Sequence, residues 1–181
     1  MVECAMTIAI PTVLGNIPLI HMPQGGTVTL GSMVPLMLVS LRHGPKWGLL
    51  TGIIHGVLQM LAGFQNIMMC TTLWAMVTCA LLDYIIAFGG AGFTGPIAKR
   101  FKNRSLGVAV AAVCSGLIRY ACSFVSGILI WGAYAPEGTP VWFHSLWYNG
   151  AYMIPEIIIT AVAAVIVVRI LEHRKAVQPA A

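Results

Sequence analysis

A chain of 181 residues with 59% hydrophobic residues and only 8% Asp, Glu, Lys or Arg cannot cover the surface of a soluble fold, because ordinary soluble domains carry about 25% charged residues. Its mean hydropathy of +0.88 makes lipid the natural solvent. The formal net charge of +5 comes from a few basic residues in short hydrophilic gaps, which points to membrane topology and away from nucleic acid.

Six stretches are long and apolar enough to read as membrane helices, the second a little short. They run from about Glu3 to Ile20, Val28 to Leu41, Lys46 to Phe64, Cys70 to Ile97, Ser105 to Ala133 and His144 to Leu171. No small-residue cleavage site follows the first, so it is expected to be retained. Pro and Gly punctuate the gaps at His21–Thr27, Arg42–Lys46 and Ala135–Pro140. No repeat or soluble module interrupts them, so residues 1–181 read as one transmembrane domain. The expected fold is an all-α integral membrane protein of about six transmembrane helices.

The basic residues then sort by side. Arg42 and Lys46 follow the second helix, Lys99, Arg100, Lys102 and Arg104 follow the fourth, and Arg169, Arg174 and Lys175 end the chain. The gaps after the first, third and fifth helices hold no Lys or Arg. The positive-inside rule therefore makes both termini cytoplasmic in a plasma-membrane protein.

Charges within membrane helices are costly and usually functional. Three remain once the loops are set aside: Asp83, Arg119 and Glu156. Asp83 and Arg119 can pair, which would lower the burial cost of both. Tyr84 adjoins Asp83. Arg119, Ser123, Gly127 and Trp131 recur every four residues on the fifth helix, forming a winding stripe. Asn149, Tyr152, Glu156 and Thr160 share a face of the sixth, with His144 and Tyr148 just outward of them. Together these imply an outward-opening, aromatic-walled cavity for a small, flat, polar ligand. A cationic ring fits best, since an indole face attracts cations and Asp83 supplies the counter-charge. Asn149 both donates and accepts, which suits a heteroaromatic edge.

The chain lacks a phosphate loop and cannot itself hydrolyse ATP. No hydrolase or metalloprotease motif occurs, so no catalytic residue, metal or cofactor is expected. The cysteines, Cys4, Cys70, Cys79, Cys114 and Cys122, show no metal-ligand spacing and read as small buried hydrophobes. His55 reads as a packing histidine, beside a Gly48, Gly52, Gly56 repeat that allows close helix contact. Ala5 and Ala9 form a small-xxx-small pair, open to two readings: close packing within the chain, or a docking face for another subunit.

The chain resembles the thiamine-specific substrate-binding components of energy-coupling factor (ECF) transporters, the ThiT/YuaJ family. The resemblance runs over nearly the whole chain. It is carried by Met22-Pro-Gln-Gly-Gly-Thr-Val-Thr-Leu-Gly-Ser-Met33, Leu82-Asp-Tyr84, Ser126-Gly127, Tyr134-Ala-Pro-Glu-Gly138 and Ser145-Leu-Trp-Tyr-Asn-Gly150. It implies a six-helix fold with a thiamine site near the outer surface and no enzymatic activity. It also implies a first outer loop, around Gln24, Gly25, Gly26 and Thr27, that closes over the ligand. The implied partners are thiamine, the lipid bilayer, a transmembrane coupling subunit docked at Ala5 and Ala9, and two ATPase subunits on separate chains. The implied site residues are Asp83, Tyr84, Arg119, Ser123, Trp131, His144, Tyr148 and Asn149; the reading of charge and spacing adds Glu156 as a further pocket member. Two of these depart from the family pattern: Ser123 stands where a histidine is found and His144 where a tyrosine is found. Asp83 stands where some members have Glu, so preference among thiamine, its phosphates and its pyrimidine half is open to change. The rival readings are a component for another vitamin or pyrimidine, a small membrane enzyme, and a solitary secondary transporter.

Overall fold

The computed structural model describes residues 2–17, 19–23 and 25–177, and the side chains of 6–17, 19–23 and 25–174. Gln24 lies outside the described residues, as does the side chain of Ala5. The chain is helical almost throughout. Helix α1 spans Val2–Gly15. A two-stranded hairpin follows, with β1 at Ile20–His21 and β2 at Thr27–Val28. Then come α2 (Val34–His43), α3 (Pro45–Ala62) and the short α4 (Phe64–Met68). Three long helices complete the chain: α5 (Leu73–Ala98), α6 (Arg104–Leu129) and α7 (Val141–Val177).

The helix ends follow local chemistry. Pro45 opens α3, where a missing N–H costs nothing, and Gly44 turns the corner from α2 with φ +91°. Thr72 caps α5 by accepting from Ala75 N at 3.2 Å, and Asn103 caps α6 by accepting from Leu106 N at 3.2 Å.

Among the described residues, α5, α6 and α7 are long and apolar enough to cross a bilayer by themselves. Helices α1, α2 and α3 occupy the first three expected segments, and two of their boundaries move. The first segment, expected to reach Ile20, stops at Gly15 because Ile20 and His21 pair antiparallel with Val28 and Thr27. The second, expected from Val28, starts at Val34. Gly31 has φ +74°, and Thr29 and Ser32 are engaged in side-chain hydrogen bonds that replace a helical turn. Trp131 also leaves its expected helix: α6 ends at Leu129, and Trp131–Tyr134 form a separate tight turn.

Helix α3 lies against α5 along its glycine stripe. A Cβ at Gly48 would meet Gly92, one at Gly52 would meet the Phe88 carbonyl, and one at Gly56 the Tyr84 carbonyl. The pairs run antiparallel, and bare glycine lets the backbones touch. Ser40 joins α2 to the same seam, donating from Oγ to Gly92 O at 2.6 Å and accepting from Gly95 N at 2.9 Å. Leu36, Met37, Val39, Val108 and Met153 fill the interior, while Trp74, Leu81, Leu117, Ile154, Ile158 and Val162 stay exposed, facing lipid. At the basic end, Arg104 ion-pairs with Glu172, and Arg169 Nε donates to Ser105 Oγ at 2.9 Å.

Candidate functional site

A cavity of about 510 Å³ opens at the end of the bundle opposite the basic residues. It lies within the range of small-molecule sites. By the positive-inside rule this end faces outward. The end of α1 and the hairpin cover it. The end of α3 and α4 form one side, the middle of α5 the floor, and the end of α6 and start of α7 the far wall.

Asp83 sits in a widened turn of α5, Ala80–Ile86, where each carbonyl bonds one residue further along than in a regular helix. Its Oδ2 accepts from Ser126 Oγ at 2.6 Å, with Trp131 Nε1 and Cys79 Sγ each at 3.5 Å. Asp83 is the one carboxylate among the described residues that lines the cavity. Arg119 lines it too, without forming the expected ion pair with Asp83. Its guanidinium Cζ lies 4.8 Å from the Phe88 ring centroid, a cation–π contact, and the Phe88 and His55 rings meet nearly perpendicular with centroids 4.8 Å apart. The Arg119 guanidinium packs against Phe88 instead, and Asp83 takes its short hydrogen bond from Ser126.

Tyr84 is buried. Its hydroxyl accepts from Asn66 Nδ2 at 3.3 Å and lies 3.5 Å from Gly63 O. Asn149 is almost fully engaged within the protein: Nδ2 donates toward Ser145 O, Ser145 Oγ and Ser123 O at 2.9 to 3.2 Å, and Oδ1 accepts from Tyr152 OH at 2.8 Å. It braces α7 against α6, with one acceptor lone pair left. Ser123 contributes its carbonyl to that brace. His144 and Tyr148 stack at 5.7 Å and 32°, and Tyr148 meets Tyr152 nearly edge-on at 6.3 Å.

The hairpin reaches the far wall. Tyr148 OH donates to Gly25 O at 3.0 Å, and Tyr152 lies directly beneath Gly26, where a Cβ would stand 2.6 Å from its ring. All the expected pocket residues, Asp83, Tyr84, Arg119, Ser123, Trp131, His144, Tyr148 and Asn149, therefore face one cavity with Gly25, Gly26 and Thr27.

Glu156 does not join them. It is 2% exposed and lines a separate void of about 10 Å³ between α2, α6 and α7. Its carboxylate is engaged with Thr29 instead. Ala9, expected on a docking face, is exposed on α1 and lies away from the cavity. His55 is fully buried, with Nδ1 3.1 Å from Thr12 Oγ1 and Nε2 unpartnered, so as a packing residue it is half satisfied.

The cavity also has a polar wall that the sequence reading passed over, made of Asn16, His21, Gln59, Gln65 and Asn66. The available signal was three side-chain amides, Gln59, Gln65 and Asn66, within eight residues of an otherwise apolar stretch.

Fold and cavity together define a helical multi-pass membrane protein with a partly polar, aromatic-lined cavity open at one end. Comparison with known proteins makes this specific. Residues 1–176 match the family model described as thiamine transporter protein, and the chain belongs to that family. The thiamine transporter ThiT of Bacillus subtilis strain 168 is 37% identical over 174 residues, covering 90% of this chain and 86% of the relative. The protein of the same name from Lacticaseibacillus paracasei is 28% identical over 173 residues, covering 90% and 83%. Among solved structures, ThiT from Listeria monocytogenes superposes with a TM-score of 0.75 at 26% identity, covering 93% of this chain and 92% of that one.

Proposed function

We propose that the chain is the membrane-embedded substrate-binding component of an ECF-type importer, that it binds thiamine from the outside, and that it is not an enzyme. The observation that carries this reading is Asp83: one carboxylate, fixed by Ser126 beside Trp131, in a cavity walled by aromatic rings and neutral polar side chains, whose cation, Arg119, is held against Phe88. That chemistry favours a flat organic cation with a hydrogen-bonding rim.

In this reading Asp83 balances the thiazolium or accepts from the aminopyrimidine, and Trp131 stacks on a ring. Tyr84, Tyr148 and His144 line the walls, and the Ser123 and Asn149 pair shapes the polar edge. Arg119 is held over Phe88, so its part is to set the cavity's field and not to clamp Asp83. Residues 24–27 close over the ligand. The exposed Ala9 face of α1, with Ala5, docks a transmembrane coupling subunit, and two ATPase subunits on separate chains drive reorientation and inward release.

The test is titration of the purified chain with thiamine, then riboflavin, read by tryptophan fluorescence. Saturable quenching by thiamine alone supports the reading. Absence of any saturable response to thiamine sinks it.

A further inference from the structure

The covering hairpin touches α7 at three levels spaced by four residues, so the contacts share one helix face. Tyr148 OH holds Gly25 O at 3.0 Å, and the Tyr152 ring underlies Gly26. One turn deeper, Glu156 holds the root of the return strand: Oε2 accepts from Thr29 N at 2.5 Å and Oε1 from Thr29 Oγ1 at 2.7 Å. Ser32 N donates to Thr29 Oγ1 at 3.1 Å, and Ser32 Oγ lies 2.9 Å from the same oxygen.

The two ends of this ladder differ in kind. At the cavity rim a half-buried phenol meets a backbone carbonyl, a neutral contact that net contributes about 1 kcal/mol. At the root a carboxylate 2% exposed, at membrane depth, accepts two charge-assisted bonds. Leaving either partner unpaired there carries the full desolvation cost of a buried group. Directly after Thr29, Gly31 takes φ +74°, with Val34, Ala163 and Thr160 around it, so the chain turns sharply into α2 at a fixed point.

We propose that Glu156 is the pivot of the gate: a positioning residue that keeps the Thr29–Ser32 root bolted to α7 while the Gly25 tip opens and closes against Tyr148. The inference rests on the reading of residues 24–27 as a gate. A pivot confines the hairpin to one hinge motion, so ligand capture orders only its tip. Without it the hairpin keeps only its neutral contacts with Tyr148 and Tyr152, and more of it must be ordered on each binding event, which slows capture.

The experiment uses the full chain in nanodiscs and compares wild type with Glu156→Gln, Thr29→Val and Tyr148→Phe. Hydrogen–deuterium exchange without thiamine comes first. Tyr148→Phe is expected to raise exchange only at the tip, residues 22–26, while Glu156→Gln raises it about tenfold across the hairpin, with α5, α6 and α7 unchanged. Stopped-flow fluorescence follows. Glu156→Gln should lower the thiamine association rate about tenfold, whereas Tyr148→Phe should raise the dissociation rate and leave association unchanged.

A purely structural Glu156 would lower the unfolding temperature but leave wild-type association in the folded fraction. That result, or exchange in Glu156→Gln matching wild type, overturns the proposal. If Glu156→Gln does not fold, Thr29→Val reads the same contact from the loop side and decides in its place. If wild type itself gives no thiamine response, the transport reading fails, while the exchange comparison still decides the pivot.

Discussion

Asp83 on α5 and Ser126 on α6 are joined by a 2.6 Å hydrogen bond donated by the serine hydroxyl to Asp83 Oδ2. Ser126 is fully buried, so the bond orients the carboxylate before any ligand arrives. Asp83→Asn removes the counter-charge at nearly constant shape. It should weaken thiamine binding at least tenfold, since a hydrogen bond or pairing with a charged group contributes about 1.5–3 kcal/mol. Ser126→Ala keeps the charge but frees the carboxylate to rotate, and should cost less, about threefold to tenfold. Calorimetric titration of both variants checks the order. Unchanged affinity in Asp83→Asn removes Asp83 from the site.

The seam between α3 and α5 leaves no room for a methyl group. A Cβ at Gly56 would lie 2.5 Å from the Tyr84 carbonyl oxygen, which is backbone and cannot swing aside. Gly56→Ala should therefore push α3 away from the widened turn that carries Asp83 and Tyr84. Overpacking of this kind costs about 1–3 kcal/mol, and a lower unfolding temperature should accompany weaker thiamine binding. A variant with wild-type melting and affinity would show that the seam is looser than its geometry.

Asn66 stands at the junction of three parts of the cavity. Its Nδ2 donates to Tyr84 OH at 3.3 Å, and its side chain lies beside Gly63 and the Gly25 tip of the hairpin. Asn66→Leu keeps the branched shape and removes the amide, which leaves the Tyr84 hydroxyl short of a donor and gives the tip an apolar seat. Affinity should fall about threefold to tenfold, with dissociation accelerated more than association slowed. Kinetic traces of thiamine release check this, and an unchanged release rate would show that the contact of Asn66 with the Gly25 tip does not hold the ligand in.

Much of this arrangement is legible in the sequence because lipid makes it so. With few charges in the chain, Asp83 and Arg119 stand out at membrane depth, and helical spacing ties Ser123 to Arg119 and Tyr152 to Asn149. Spacing is silent on partners, however. Asp83 bonds Ser126, one position off the Gly127 stripe, and Arg119 turns to Phe88 instead. Glu156 sits on the same face as Asn149 yet serves Thr29, 127 positions away. The early end of α1 and late start of α2 are equally non-local. Ile20 and Val28 are apolar enough for helix, and only their pairing across the Gly25-Gly26 turn makes them strand.

The last prediction concerns the reporter of binding. Of the five tryptophans, Trp47, Trp74, Trp142 and Trp147 are each more than half exposed on the lipid-facing or outer surface, while Trp131 alone lines the cavity. Trp131 reaches that position because α6 stops at Leu129 and the tight turn swings the indole back, its Nε1 3.5 Å from Asp83 Oδ2. A cation stacked on an indole gains about 0.5–2 kcal/mol, more than on a phenyl ring. Trp131→Phe should therefore remove most of the thiamine-dependent quenching while lowering affinity, measured by calorimetry, about threefold to tenfold. Trp147→Phe should leave both the absolute thiamine-dependent fluorescence change and the affinity at wild-type values. If quenching persists in Trp131→Phe, the ligand does not stack at Trp131, and the stacking role proposed for that indole is wrong. Quenching lost with affinity intact would make Trp131 a bystander close enough to sense the ligand but not to hold it.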